Sequence, residues 1–217
     1  CPFHGFCWHL DGSLKHIPAD WDFPQIDKEN FSLPELPIAA WGGFVFINPD
    51  QQCEPFDDFI KDMKTQFERW EPEKLYKQAH VAKIVPCNWK IAQEAFCEAY
   101  HVSGTHPQIL PSLGCVNSQI DVWDNCARVI TPSMTPSPLL DYELSEKDMM
   151  RTMMDLPPEA QVPELPKDMN PREFMANSSR EDLRSNAGSK VDEYCDAEIL
   201  DSLDYTLFPN FHPWGAF

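Results

Sequence analysis

Positive charge is what this chain has least of. Seventeen Lys and Arg stand against 35 Asp and Glu, a formal charge of −18. With no basic stripe to displace counterions from a phosphate backbone, the composition argues against nucleic-acid binding. So many carboxylates serve solubility instead, and offer a docking face to a basic partner. Glycine is scarce as well, eight residues against 21 prolines, which implies long stiffened connections rather than a helical bundle. No apolar run is long enough to span a bilayer, so a cytoplasmic location is expected. The eight cysteines, at 1, 7, 53, 87, 97, 115, 126 and 195, have no regular spacing. A disulfide framework is not expected at this length, and most of the thiols are read as reduced and buried. There are no internal repeats. Neither end looks like a natural terminus, so an internal fragment of a longer chain is expected. Its 217 residues, 42% of them hydrophobic, suffice for one large domain or parts of two.

The densest chemistry lies in residues 88 to 106. Read as a helix from Trp89, this stretch puts Glu94, Glu98 and His101 within about 60° of one another on one face, at roughly 100° per residue. Ile91, Ala95, Phe96 and Ala99 then face the core. Two carboxylates and an imidazole are costly to bury without a compensating cation. Gly104 and Thr105 weaken the helix and Pro107 forbids its continuation, so the chain can turn and bring His106 back toward His101. Two neutral imidazoles held that way leave positions for a carboxylate and outside ligands, the arrangement of a 2-His-1-carboxylate iron(II) site. The spacing alone equally suits a half-buried helix with ordinary hydrogen bonds, and zinc would satisfy the same atoms.

Upstream, Cys1 and His4 form C-x2-H in a loop tightened by Pro2 and Gly5. With a C-x-H before it, this would be half of a Rieske [2Fe–2S] site. Without that context, an ordinary turn explains it. Phe6 and Trp8 suit a strand beside the loop, and Asp11-Gly12 signals a hairpin. Ala40 to Asn48 is an apolar β-rich run read as one buried strand. Residues 55 to 75 carry Phe56, Phe59, Ile60, Met63 and Phe67 at helical spacing. Strands are expected at 80–85, within 120–133 and at 203–208, and helices at 143–155 and 172–185. Met149, Met150, Met153 and Met154 read as core packing.

Four stretches together resemble the large (alpha) subunit of Rieske non-haem iron aromatic-ring-hydroxylating oxygenases. Cys1-Pro2-Phe3-His4-Gly5-Phe6 with Trp8 and Gly12 is similar to the second half of the Rieske motif. Trp41-Gly42-Gly43-Phe44-Val45-Phe46-Ile47-Asn48 is similar to the strand that ends the Rieske domain. Asn88-Trp89-Lys90 with Glu94, Glu98, Tyr100-His101 and His106 resembles the mononuclear-iron motif, and Phe208-Pro209-Asn210 a strand end of the catalytic domain. The resemblance implies an α+β chain: residues 1–54 the C-terminal part of a small all-β Rieske domain, and 55–217 part of a helix-grip (START-like) catalytic domain with an antiparallel sheet. It implies Cys1 and His4 as ligands of a [2Fe–2S] cluster, and His101 and His106 as ligands of a mononuclear Fe(2+). Glu98 becomes the acid that links the iron site to the Rieske cluster of a neighbouring subunit, with Phe96 and Phe208 beside the substrate. Electrons from NAD(P)H would arrive through a reductase, with or without a ferredoxin. A homotrimer, or a hetero-oligomer with a small subunit, would oxygenate an aromatic or other apolar substrate. The chain departs from the family's pattern in four ways. The C-x-H half precedes residue 1, the third iron ligand lies beyond residue 217, Glu98 stands where many members carry Asp, and Ala95 where many carry Asn. Two other functions remain in view: a zinc hydrolase, against which the lack of H-E-x-x-H counts, and a non-enzymatic helix-grip ligand-binding domain.

Overall fold

The computed structural model describes residues 1–215. They divide into two compact units, residues 1–59 with 71–76, and residues 60–70 with 77–217. The architecture is α+β, with every strand pairing antiparallel.

The first unit is built on two hairpins. β1 (Cys7–Trp8) pairs with β2 (Leu14–His16) across the Asp11-Gly12 turn. That turn is closed by the Ser13 amide and hydroxyl, which donate to Asp11 Oδ1 at 2.9 and 2.6 Å, while Gly12 takes φ +83. β3 (Ile38–Trp41) and β4 (Phe44–Ile47) form the second hairpin. The expected single buried strand over 40–48 is therefore two strands. Gly42 and Gly43, at φ +57 and +82, supply the two left-handed residues that a tight two-residue hairpin turn requires. Nor is the hairpin buried, since Val45 is 67% and Ile47 64% exposed. α1 (Phe56–Phe59) follows, and Phe56 packs its ring 4.8 Å from that of Phe46.

The second unit begins with α2 (Lys61–Phe67), which buries Met63 and Phe67. The amphipathic stretch expected as one helix is thus two short ones, split at Ile60. Next comes an extended segment, 77–85, with Val81 87% and Ile84 96% exposed. The strand expected at 80–85 does not form, because no ladder partner lies alongside it among the described residues. α3 (Trp89–Glu94) and α4 (Val102–Thr105) carry the site described below. A three-stranded sheet of β5 (Gln119–Val122), β6 (Cys126–Thr131) and β7 (Ser202–Leu207), in the order β5-β6-β7, forms the unit's spine. Arg128 pins α2 to this sheet, reaching Asp121 at 2.6 Å and Gln66 at 2.7 Å.

Between β6 and β7 the chain makes α5 (Glu146–Met153), α6 (Pro171–Ala187) and α7 (Asp196–Leu200). Sequence dictates both long helices. Ser145 caps α5 by accepting from the Asp148 amide, Asn170 caps α6 by accepting from Glu173, and Pro171 opens α6 where its missing N–H costs nothing. Met134, Met149, Met150, Ala176 and Leu200 form the core here, with Met153, Met154 and Met175 against it. The cysteines divide differently from expectation: Cys115 and Cys126 are buried, but Cys7, Cys87 and Cys195 are exposed, as is the candidate ligand Cys1. No helix among the described residues is long and apolar enough to cross a membrane.

One polar cluster locks α6 to the sheet. Asp201 Oδ1 accepts from Arg172 Nη1 at 2.7 Å and from the Ser133 amide at 2.9 Å. The Asp201 side chain is only 6% exposed, with Arg172 as its ion-pair partner. Asp201→Asn keeps the shape but strands the guanidinium, and is expected to cost about 2 kcal/mol in chemical denaturation.

Candidate iron site and an adjoining cavity

Local sequence shapes the centre of the second unit. Asn88 caps α3 by accepting from the Lys90 amide at 2.9 Å. The helix then ends at Glu94, earlier than its apolar spacing suggests. Phe96 and Cys97 donate to Gln93 and Glu94 in tight turns, and residues 95–101 wind irregularly before α4. Glu94, Glu98 and His101 consequently do not share one continuous helical face. Ile91 and Phe96, expected in the core, are 61% and 48% exposed. Of that apolar set only Ala99 is buried.

Both Glu98 oxygens are taken by His101. Oε2 accepts the His101 amide at 2.9 Å and Oε1 meets ring Nδ1 at 2.6 Å. Partial burial pushes the Glu98 carboxyl up, yet the amide and ring of His101 outweigh it and hold the group below its ordinary value. An ionised carboxylate can only accept, so Nδ1 of His101 carries the proton and Nε2 presents its lone pair. Carboxylate-oriented imidazoles of this kind are the usual metal-binding form. The His106 ring lies 5.6 Å from that of His101, centroid to centroid, at 77°. The turn after His101 therefore does bring the two rings together, helped by Thr105 and His106 amides donating back to His101 and Val102. Two imidazoles with one ring nitrogen presented fit two positions of an iron site. Among the described residues, no group of three His, Cys, Asp or Glu side chains is arranged to hold a metal. Glu94 is exposed and does not join them. Asp201 is committed to Arg172.

In the first unit, Cys1 and His4 lie on one tight loop. Gly5, at φ +77, donates its amide to the Cys1 carbonyl at 2.9 Å. Both residues are exposed, and the His4 ring packs against Phe3 at 4.0 Å. Of the expected substrate neighbours, Phe208 packs against Trp89, centroids 6.2 Å apart, and is itself 56% exposed. Phe96 instead lines a cavity of about 220 Å3 with Asp204, Tyr205, His212, Pro213 and Trp214. Of these, Phe96 alone is a site candidate from the sequence. Strand alternation was the available signal, since Ser202, Asp204 and Thr206 share one face of β7. Thr206 Oγ1 bonds His212 Nδ1 at 3.1 Å and lies 3.6 Å from Cys97 Sγ, which ties the cavity to the segment carrying Glu98. Burial lowers the His212 pKa and raises that of Asp204, the latter against a hydrogen bond from Ser202.

Residues 62–212 match the family model for the ring hydroxylating alpha subunit (catalytic domain). The chlorobenzene dioxygenase subunit alpha of Cupriavidus sp. (strain PS12) is 30% identical over 111 residues, covering 48% of this chain and 25% of that protein. The carnitine monooxygenase oxygenase subunit of Acinetobacter pittii (strain PHEA-2) is also 30% identical, over 115 residues, covering 52% and 31%. Among solved structures, a quaternary ammonium Rieske monooxygenase matches with a TM-score of 0.51 at 25% identity, over 63% of this chain and 38% of that one. The chain thus spans between 25% and 31% of the length of these two curated relatives.

Proposed function

Because the chain belongs to the family of ring-hydroxylating alpha subunits through its catalytic domain, we propose that it is part of a terminal oxygenase that inserts oxygen from O2 into an organic substrate. The observation that carries this reading is the His101–Glu98 contact beside His106. His101 and His106 would hold a mononuclear iron(II), and Cys1 and His4 would contribute to a [2Fe–2S] cluster with ligands from elsewhere. When bound, such an iron supplies open positions for O2, and the cluster supplies electrons at a potential raised by His ligation.

The chain's own residues prepare that chemistry. Glu98 fixes the tautomer and orientation of His101, so that Nε2 rather than Nδ1 would hold the iron. Its carboxylate, about a third exposed, can also accept from a partner's imidazole, as a link between subunits requires. Phe96 contributes an apolar wall beside the same segment, in keeping with a substrate site that limits water. NAD(P)H would act through a separate reductase, with or without a ferredoxin, and subunits would assemble as a trimer or with a small subunit, in the cytoplasm.

Metal and sulfide analysis of the full protein tests this reading. About three irons and two acid-labile sulfides per subunit are expected, one iron mononuclear and two in the cluster. One zinc and no sulfide would instead mark a hydrolase, and no metal a binding domain.

A further inference from the structure

The cavity beside Phe96 holds two hydrogen-bonding atoms that the chain leaves unused. Oδ1 of Asp204 and Nε2 of His212 make no hydrogen bond among the described residues, although both side chains line the cavity. We propose that this cavity is a subsite for the hydroxyl-bearing ring of a phenol, with Asp204 accepting the hydroxyl proton and His212 donating to the hydroxyl oxygen. Only the role of that ring as substrate rests on the oxygenase reading.

The bonds around the cavity decide which atom donates. Trp214 Nε1, which can only donate, gives its proton to Ser202 Oγ at 2.8 Å, and Ser202 in turn donates to Asp204 Oδ2 at 2.8 Å. The acid is thereby aimed, with Oδ1 left as an acceptor. On the other side, Thr206 Oγ1 lies 3.1 Å from His212 Nδ1 and 3.6 Å from Cys97 Sγ, while the thiol donates to the Gln93 carbonyl at 3.6 Å. Sulfur accepts weakly, so the single Thr206 proton goes to the imidazole. A neutral imidazole that accepts at Nδ1 carries its own proton at Nε2, and burial, which lowers the His212 pKa, keeps the ring neutral at pH 7. One acceptor and one donor thus border the same space without meeting. A hydroxyl is both at once and satisfies the pair.

Size and walls select a single ring. At about 220 Å3 the cavity exceeds the ~150 Å3 that admits benzene to an apolar cavity and is below the ~300–1,000 Å3 that encloses a drug-sized ligand. The Phe96 and Trp214 rings stand 6.2 Å apart, inclined at 56°, a geometry that suits an inclined aromatic guest. Polarity excludes other guests of this size. A bare or halogenated ring would leave both polar atoms desolvated and unpaired, which is costly. A quaternary ammonium group has no proton for Asp204 and no lone pair for His212. A carboxylate would meet Asp204 as a like charge. Burial raises the Asp204 pKa against the bond from Ser202, as expected of a carboxyl group with too few donors, and a hydroxyl supplies one.

Phenol and toluene, which differ by a hydroxyl against a methyl group, are titrated calorimetrically into the intact protein after iron loading, with choline as a third probe. Phenol is expected to bind about tenfold more tightly than toluene, and choline more weakly than phenol. In Asp204→Leu, phenol should lose about tenfold and toluene nothing, so toluene binding itself shows that the cavity has formed. Should that variant lose toluene as well, Asp204→Asn keeps the shape and is expected to cut the phenol-to-toluene ratio about threefold. Equal binding of phenol and toluene by the wild type, no phenol binding, choline ahead of phenol, or an unchanged ratio in the variant that retains toluene binding would overturn the subsite. Iron per subunit is read in the same samples. A phenol preference in protein that takes up no iron sinks the oxygenase reading and leaves the subsite standing, and iron-replete protein without the preference sinks only the subsite.

Discussion

His101→Ala is expected to empty the mononuclear iron position and abolish turnover. The loss should exceed the ~10–100-fold typical of removing a ligand's hydrogen-bond partner, because here the ligand itself goes. The geometry makes His101 the better anchored of the two imidazoles. Its amide and its Nδ1 are both held by Glu98, at 2.9 and 2.6 Å, so the direction of Nε2 is set before any metal arrives. With that ring gone, His106 has no oriented imidazole beside it. The ring lies about a third exposed and caps no buried cavity, so the variant should fold normally. Iron analysis then separates the outcomes. Cluster iron and sulfide should persist while the single mononuclear iron disappears. Wild-type iron content in His101→Ala would remove this residue from the site.

How much of this was legible before the coordinates depends on sequence distance. The convergence of His101 and His106 is as expected but not for the expected reason. Gly104 and Thr105 do not break the chain; they lie inside α4, and one helical turn carries His106 back beside His101 before Pro107. The helix expected to display Glu98 stops at Glu94, where the Phe96 and Cys97 amides tighten onto Gln93 and Glu94, a change of winding that leaves the apolar spacing untouched. At residues 40–48 the apolar pattern suggests one strand, whereas the paired Gly42-Gly43 within it marks the hairpin turn. Residues 80–85 show the converse. Alternation there fits a strand, but a strand exists only where another edge meets it. The Asp204 cavity was the least accessible feature. It needs β7 to reverse near Phe211, which exchanges backbone bonds with Leu207, so that His212 and Trp214 return against a strand face reached only after pairing with β6. Nothing near Asp204 in sequence announces that partner set. Cysteine burial departs from expectation for a related reason, since loops such as those at Cys87 and Cys195 expose small residues that a globular core would enclose.

Glu98→Gln is the most discriminating single change, because it alters charge and hydrogen-bond polarity while preserving size. Both carboxylate oxygens now accept from His101, one from its amide and one from its ring. A Gln side chain has one acceptor and one donor. If its oxygen keeps the amide, its NH2 faces Nδ1–H, donor against donor, and the imidazole must adopt the other tautomer or turn away. If the Gln oxygen instead takes Nδ1–H and gives up the His101 amide, Nε2 keeps its lone pair, so iron should remain at both centres. Turnover is nonetheless expected to fall by about 10–100-fold, the range seen when a ligand's orienting partner is lost. A link between subunits would deepen the loss, since the neutral amide no longer accepts a charge-assisted bond from a partner's ring. The two contributions separate kinetically. Lost orientation alone should slow product formation in a single turnover with a pre-reduced cluster and metals in place. Lost linkage should appear instead as slow oxidation of that cluster while substrate and O2 are saturating. Unchanged multiple-turnover rates in an iron-replete Glu98→Gln protein would dismiss both roles, and leave His101 oriented by its position in the turn alone.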